Sequence, residues 1–450
     1  MTDLTGKVEA PNHLEEKPIN FKNTWRDLIL IFLVAVALRL IYVELAISSI
    51  GFDKFVFFAN DTRLYLLTAD HILSPNNNGS YGLLRVGPGY ALILAGIKSV
   101  FGPNLIWPIM FSVLMGALAP VFVYLLGLKL FASRTIGIIA GIFSAVSFTS
   151  LSASAHILTD QTFFTFHIAE LVSFVHACQT KKLKWFVAAG LIAGFVSYIR
   201  SVGIIWPYIF IFMSLVIPLG AIYKSRVELV RRAAITGIVM LVLIWGWSAR
   251  NYFIHDKFVF GTNGMLTIRS CLIAQAAERS WGEGRRIVEY REIWEAEDGD
   301  RSENFVPAYD KAKARVVAEL KRNLSLVVSC YMHNLLENMT AGNGYITREI
   351  LPVSSFAITL NTAVEKWLGY LIIVLTVIGF VLMYRLNLKL PFWILGSTYL
   401  AFSVLLGASF WQGSRLHYPA EMAWPLVLAF LVVWTTRKIK DSTKVAETKL

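Results

Sequence analysis

An acid and a guanidinium follow directly after the first long apolar segment of the chain. The segment from about Leu28 to Ile50 is long enough to cross a bilayer, which takes about 20 residues as a helix, and Asn60-Asp61-Thr62-Arg63-Leu64-Tyr65 comes just after it. A carboxylate at the membrane surface can act as a general base, and a guanidinium beside it can bind an anionic group. Asp61 is therefore the first candidate catalytic residue, with Arg63 and Tyr65 as candidates for substrate binding.

The composition indicates that most of the chain lies in a membrane. Apolar residues make up 56% and charged residues only 16%, whereas a soluble domain carries about 25% charged residues. Backbone groups in lipid must bond within their own segment, so we expect an all-α polytopic bundle. The net charge of +12 does not indicate nucleic acid, because the lysines and arginines cluster beside the apolar segments, where they set the orientation of the protein.

The basic clusters predict which turns are cytoplasmic and divide the chain into ten crossings. Tyr90 to Phe101 is too short for a crossing, and counting it as one would place Lys129 and Lys182 outside, so we expect an interfacial segment on the outer surface. The predicted spans are about 28–50, 104–127, 135–156, 160–179, 185–200, 203–223, 233–250, 367–384, 391–410 and 419–436.

The same reasoning predicts the domain organisation. Residues 1–27 form a cytoplasmic tail, 28–250 a transmembrane module whose first outer loop (51–103) is catalytic, 251–365 a non-cytoplasmic insert, 366–436 the C-terminal membrane helices and 437–450 a second tail. Within the insert, Lys311 to Leu320 and Leu324 to Leu336 have the spacing of amphipathic helices. The insert is the one sizeable soluble part that we expect.

With this topology, ionisable residues from distant parts of the chain share the outer ends of the spans. Such residues are costly near lipid and usually line a cavity or pair with one another, so we expect an outward-facing polar site. Arginines suit a lipid phosphate, and a carboxylate suits a general base, so a sugar donor on a polyprenyl phosphate fits the set. The candidates beyond the first loop segment are Arg85, His156, Asp160, Arg200, Arg250, Arg415 and His417.

Each candidate also has a structural explanation. Asn60 or Asp61 can cap the helix predicted from Arg63 to Leu73, and Thr159-Asp160 can cap the helix that follows it. The arginines can extend to lipid head groups, and the histidines can be hydrogen-bonded inside the bundle. A transporter or flippase would also need a polar cavity in a helical bundle, and a non-catalytic glycan-binding subunit is a third alternative.

The sequence offers little for a metal or cofactor, and we expect none. Cys178, Cys271 and Cys330 show no Cys-x-x-Cys spacing and no nearby histidine pair. Cys271 and Cys330 fall in the same insert, but two isolated cysteines are more often small apolar residues than a disulfide.

Four separated motifs resemble the GT-C superfamily of polytopic glycosyltransferases, especially bacterial relatives of the protein O-mannosyltransferases and the lipid A aminoarabinose transferases. The first is Asn60 to Tyr65, and the second is Val86-Gly87-Pro88-Gly89-Tyr90 leading to Lys98-Ser99-Val100-Phe101-Gly102. The third is Thr159-Asp160. The fourth combines Arg250-Asn251-Tyr252 and Phe258 to Gly264 with Ser414-Arg415-Leu416-His417-Tyr418-Pro419.

The resemblance implies an inverting transferase that uses a polyprenyl-phosphate sugar on the outer face of a bacterial inner membrane, with a lipid, glycan or protein as the acceptor. It implies Asp61 as the acid/base residue, Asp160 as a second catalytic candidate and arginines near the lipid phosphate. Many relatives carry two adjacent acids where this chain has Asn60-Asp61, and a Pro-Pro pair where it has Pro88-Gly89. One carboxylate is a poor site for a divalent ion, so we expect no metal.

Overall fold

A computed structural model describes most of the chain, and within that part it consists of helices and turns without strands. The all-α class predicted from the composition is confirmed. The described residues are 21–59, 61–74, 80–217, 225–280, 287–298, 305–340, 350, 355–409 and 418–447.

Every predicted span contains a helix. Five helical segments are long and apolar enough to cross a membrane, namely Thr24–Ile50, Ile106–Phe131, Ala363–Arg385, Lys389–Leu406 and Ala420–Ser442. The remaining spans hold shorter or more polar helices, so the count of ten crossings stays a prediction. The bundle helices are α1 (Phe21–Ile50), α6 (Ile106–Phe131), α7 (Arg134–Val146), α9 (Thr159–Thr180), α10 (Leu183–Ile199), α11 (Trp206–Val216), α12 (Arg226–His255), α18 (Ser355–Arg385), α19 (Lys389–Leu406) and α20 (Ala423–Glu447).

Helix α9 lies in the middle of the bundle and is polar for a membrane helix. It packs between α6 and α10, and almost all of its side chains are buried, including Gln161, His167 and Glu170. Because the neighbouring helices shield these polar side chains from lipid, the side chains can hydrogen-bond to other protein groups and do not face hydrocarbon. The polarity of α9 therefore follows from its central position.

Small residues allow the helices to approach each other closely. A Cβ at Gly190 of α10 would lie 2.7 Å from the Thr236 carbonyl oxygen of α12, and one at Gly194 would meet the Leu243 side chain at 2.3 Å. A real Cβ at either position would push α10 and α12 apart. The glycines thus set the spacing of the two helices that carry Arg200 and Arg250.

The segment between α1 and α6, called the first loop from here on, is helical. It contains α2 (Phe52–Val56), α3 (Asp61–Leu73), α4 (Ser80–Arg85) and α5 (Gly89–Phe101). Lys98 Nζ of α5 contacts Asp70 Oδ1 of α3 at 2.6 Å. At the start of α5, a Cβ on Gly89 would lie 2.6 Å from the Tyr198 carbonyl carbon, so α5 begins directly against the end of α10.

The insert after α12 has a small apolar core of its own. Its helices are α13 (Asn263–Thr267), α14 (Ala274–Ser280), α15 (Ile287–Asp298), α16 (Phe305–Arg322) and α17 (Leu324–Met339), with a π-helical turn at Ile268–Ile273. Ile273, Tyr290, Trp294 and Cys330 are buried in this core. The insert also contacts the first loop, because Leu84 packs with Leu266 and Ala312.

Candidate functional site

The most deeply buried candidate acid is paired with a candidate arginine. Asp160 lies in the first turn of α9 and is 1% exposed. Arg200 follows directly after α10, with extended backbone, and its Nη1 donates to Asp160 Oδ1. Its guanidinium also lies over the Phe163 ring, 5.8 Å from the centroid. The structure thus brings two of the candidates named from the sequence, Asp160 and Arg200, into contact.

The helix-cap explanation does not describe Asp160. The N-cap position of α9 is Leu158, and it makes no side-chain cap hydrogen bond. Asp160 therefore lies inside the first turn, where the helix dipole favours a negative charge, and its carboxylate accepts a hydrogen bond from the guanidinium that follows α10.

The N-terminal part of α3 docks against the residues just before Asp160. Thr62 Oγ1 donates to the Ile157 carbonyl at 3.4 Å, and the Tyr65 hydroxyl lies 3.4 Å from Thr159 Oγ1. The Tyr65 ring is buried edge-to-face against Tyr90 of α5, with centroids 5.2 Å apart. The first loop and the start of α9 thus form one wall.

Asp61 is the first residue of α3 and is partly exposed. It precedes Thr62, whose hydroxyl bonds to the segment before α9, so the two candidate acids lie on elements that touch. Asp61 is therefore at the edge of the wall, in contrast to the enclosed Asp160. Of the two carboxylates, that of Asp61 is the more accessible one.

Aromatic side chains of the first loop hold two further candidates. His156 is buried between two phenylalanine rings. Its ring centroid lies 5.5 Å from that of Phe55 in α2 and 5.4 Å from that of Phe58, which follows α2. Arg63 is exposed, and its guanidinium lies over the Phe57 ring at 5.5 Å. Both candidates thus contact aromatic rings that come just before α3 in the chain.

Arg85 and Arg250 contact a different set of residues, where the first loop meets the insert. Arg85 Nε donates to Asn263 Oδ1 at 3.4 Å. Arg250 Nη1 donates to Asn251 Oδ1 at 2.9 Å, and its guanidinium lies over the Trp247 ring at 4.8 Å. The Arg85 bond links the residue before the second motif to the fourth motif, whereas the Arg250 contacts stay within α12, and the partners in these contacts are neutral.

Arg415 and His417 lie outside the described residues, whereas the next residue of their motif is described. Tyr418 is fully buried, and its hydroxyl donates to Gln161 Oε1 at 2.6 Å and contacts Ser150 Oγ at 3.1 Å. Its ring packs on Phe164 with centroids 4.3 Å apart. The late motif thus reaches the residue beside Asp160.

The structure shows a buried arginine that the sequence reasoning missed. Arg39 of α1 is fully buried and donates to Ser150 Oγ at 2.7 Å and to the Ala35 carbonyl at 3.0 Å. A Cβ on Gly116 would lie 2.5 Å from Arg39 Nε, so α6 needs a glycine at this point. The only signal was a single arginine inside a long apolar run.

A second missed feature is a His–Glu pair inside α9. His167 Nδ1 and Glu170 Oε1 are 2.7 Å apart, and both side chains are fully buried. The His167 ring stacks on Trp206 with centroids 4.4 Å apart. The pair is net neutral whichever residue holds the proton, which lowers the cost of placing it in the bundle.

Three cysteines and the remaining ionisable residues were also considered as ligands for a metal. Within the residues that the structure describes, no group of three or more His, Cys, Asp and Glu side chains is placed to hold a metal ion. Cys178, Cys271 and Cys330 are all buried.

Fold and site together define a polytopic helical membrane protein with an acid–guanidinium pair at one end of a central polar helix. Residues 85–247, which are less than half of the chain, match the family model of dolichyl-phosphate-mannose-protein mannosyltransferase. A search of curated proteins finds no match.

Two solved structures of an archaeal oligosaccharyltransferase share the fold, and a third structure is less similar. The archaeal oligosaccharyltransferase AglB from Archaeoglobus fulgidus, in complex with an inhibitory peptide and a dolichol-phosphate, superposes with a TM-score of 0.53 at 16% identity, over 95% of this chain and 52% of AglB. The complex of the A. fulgidus oligosaccharyltransferase with Zn and sulfate gives 0.52 at 14% identity, over 94% and 51%. ArnT from Cupriavidus metallidurans in the apo state matches with a TM-score of 0.38 at 16% identity, over 88% and 77%.

The chain spans about half the length of the AglB structures that it matches. The resemblance to the GT-C superfamily that the four motifs indicate is confirmed, and the chain has the GT-C fold.

Proposed function

We propose that the chain is an inverting glycosyltransferase that moves a sugar from a polyprenyl phosphate to a lipid, glycan or protein acceptor on the outer face of a bacterial inner membrane. The observation that supports this best is the wall formed by α3 and the start of α9. It carries a partly exposed acid, Asp61, at the start of α3 and a buried acid, Asp160, at the start of α9 that is already bound to Arg200. The acceptor needs a carboxylate that can take its proton, and the donor phosphate needs a guanidinium that is held in place.

In the proposed reaction, Asp61 takes the proton of the acceptor hydroxyl or amine as that group attacks the anomeric carbon of the sugar. The bond from that carbon to the phosphate oxygen breaks, and the lipid phosphate leaves with its negative charge. General-base catalysis of this kind contributes about 10²–10⁴-fold. Guanidinium groups that are already in position stabilise the leaving phosphate without reorganising during the step.

Asp160 would act by holding Arg200. A guanidinium carries five N–H donors in a fixed fork, and the contact with Asp160 occupies one edge of Arg200. The other donors remain to bind phosphate. The pair also lowers the cost of keeping both charges partly out of water. Arg63, Arg85, Arg250, Arg415 and His417 are proposed as further groups for the phosphate or sugar, with Tyr65 and His156 shaping the pocket.

The comparisons support the class of donor. The family model is named for transfer from dolichyl-phosphate-mannose, and one AglB structure holds a dolichol-phosphate, which is also a polyprenyl phosphate. The alternatives are a flippase for polyprenyl-linked glycans and a non-catalytic glycan-binding subunit. Asp160 and Arg200 would serve either one as well, but a partly exposed base is needed only for chemistry.

Substitution of Asp61 tests the proposal. The protein is reconstituted in liposomes with lipid-linked sugars extracted from the host membrane, and the loss of donor and release of polyprenyl phosphate are followed by mass spectrometry. Asp61→Asn should still bind undecaprenyl phosphate, but its turnover should be slower than that of the wild type by a factor of about 10² or more. Asp53→Asn, which changes an exposed acid in α2 of the same loop, is the matched control.

Transfer of intact lipid-linked sugar across the bilayer without release of polyprenyl phosphate would favour the flippase. Full turnover by Asp61→Asn would contradict its assignment as the base.

A further inference from the structure

The last helix of the insert, α17, has an exposed apolar row along one side. Residues at every fourth position lie on the same side of a helix, and the opposite side of α17 is buried, with Val327 and Cys330 in the insert core. A contiguous apolar surface of this kind marks a contact with another surface. The exposed row consists of Leu324 (58% exposed), Val328 (49%), Met332 (47%) and Leu336 (61%).

The neighbouring helix of the insert has a different surface. The exposed positions of α16 carry charged side chains, among them Lys311, Lys313 and Lys321. By contrast, α17 has a single charged residue, Glu337, and its carboxylate is bound to Lys366 of α18. The insert is therefore polar where α16 faces outward and apolar where α17 does.

Helix α17 is attached to the end of a helix that is long and apolar enough to cross a membrane. The Asn338 side-chain amide donates to the carbonyls of Leu406 and Ser409, at 2.8 Å each, where α19 ends. The 18 residues of α19 extend for about 27 Å, close to the hydrocarbon thickness of about 30 Å. The end of α19, and α17 with it, is therefore expected at a surface of the bilayer.

The exposed row also adjoins an apolar surface of α19. Val404 and Leu400, one turn apart on α19, are 52% and 64% exposed, and a crossing helix turns such side chains to lipid. The Tyr331 hydroxyl donates to the Val404 carbonyl, and Gly407 lies against the Tyr331 ring. Since Tyr331 directly precedes Met332, the lipid-facing side of α19 leads to the exposed row of α17.

We infer that the exposed row of α17 lies in the boundary between the head groups and the acyl chains of the bilayer that α19 crosses. This is how the apolar face of an amphipathic helix binds a membrane. Lys321, which is exposed just before α17, can extend to the lipid phosphates there. The partner of the row is thus the lipid surface, and the insert is held on the membrane through its last helix.

Fluorescence quenching of the full chain in nanodiscs tests the inference. The three native cysteines are buried, so a dye attached to Met332→Cys reports on the row, and wild-type protein treated in the same way gives the background. The quenchers are lipids with a nitroxide near the head group, lipids with a nitroxide near the end of the acyl chain, and aqueous iodide. The nitroxide near the head group should quench most, at a depth of about 5–10 Å into the boundary, and iodide should quench least.

Two matched positions define the limits of the measurement. A dye on Leu400→Cys of α19 should be quenched most by the deeper nitroxide, and a dye on Ala318→Cys, an exposed position of α16, should be quenched most by iodide. A charge within the row gives a further test. Val328→Glu should weaken nitroxide quenching of a dye on Leu336→Cys, whereas Ala314→Glu, at an exposed position of α16, should leave that quenching unchanged.

Two results would overturn the inference. Iodide quenching of Met332→Cys as strong as that of Ala318→Cys would place the row in water. Protection of Met332→Cys from all three quenchers would mean that another protein surface, such as a second copy of the chain, covers the row. Neither result bears on glycosyl transfer, because an Asp61→Asn protein without turnover should give the same quenching as the wild type.

Discussion

Removal of either partner of the Asp160–Arg200 pair should destabilise the protein, and the two losses should be unequal. Breaking a buried ion pair by removing one partner costs about 3–5 kcal/mol, because the remaining charge is left uncompensated. The Asp160 side chain is 2% exposed and that of Arg200 is 23% exposed. Arg200→Met removes the guanidinium from a carboxylate that cannot reach water, whereas Asp160→Asn leaves an arginine whose head group can still extend to water.

We therefore expect Arg200→Met to cost about 3–5 kcal/mol and Asp160→Asn to cost less. The double variant should be more stable than the sum of the two losses predicts, because it leaves no charge buried and unpaired. Unfolding of the purified protein in detergent, followed by tryptophan fluorescence against temperature and denaturant, measures the ranking. Arg63→Met is the control, since an exposed arginine changes stability by only about 0.5 kcal/mol.

Additive losses in the double-mutant cycle would refute the reasoning, since they would mean that the contact contributes no coupling. So would a larger loss from Asp160→Asn than from Arg200→Met. In either case Asp160 would have to act on the substrate directly instead of through Arg200.

Three further predictions concern other parts of the structure. Gly89→Ala should separate α5 from α10 and reduce both stability and donor binding, while Gly96→Ala on the same helix, with nothing within 4 Å of the added methyl, should be neutral in the same thermal scan. Tyr418→Phe removes the hydroxyl that donates to the buried Gln161 Oε1 and should cost about 1–3 kcal/mol, measured in the same unfolding assay; no loss would mean that Gln161 has no need of the Tyr418 hydroxyl. The carboxylate of Asp310, 2.6 Å from Lys257 Nζ, raises the pKa of Lys257, so the stabilisation from this pair should be present at neutral pH and disappear as the pH rises through that pKa. An Asp310→Asn variant should then match the wild type in alkaline thermal scans, and a constant difference across pH would contradict this.

The sequence by itself determined the class of fold and the position of most helices. Long apolar segments have only one way to satisfy their backbone in lipid, so the span from Leu28 to Ile50 was predictable as the helix that the structure shows. Tyr90 to Phe101 was recognisable as a separate apolar segment, and it forms a helix of 13 residues; its place at the membrane surface stays a prediction. Both predictions depend on local properties that are present in the printed residues.

Only the tertiary structure decided which side chains meet. Thr159-Asp160 has the local pattern of a helix cap, but the carboxylate binds Arg200, 40 residues later in the chain. The sequence did not reveal the role of Arg39, which lies in an apolar run, because its partner Ser150 is 111 residues away in the chain. Hydropathy and helix caps follow from neighbours in sequence, whereas ion pairs, buried donors and cavities depend on distances that exist only after the helices have packed.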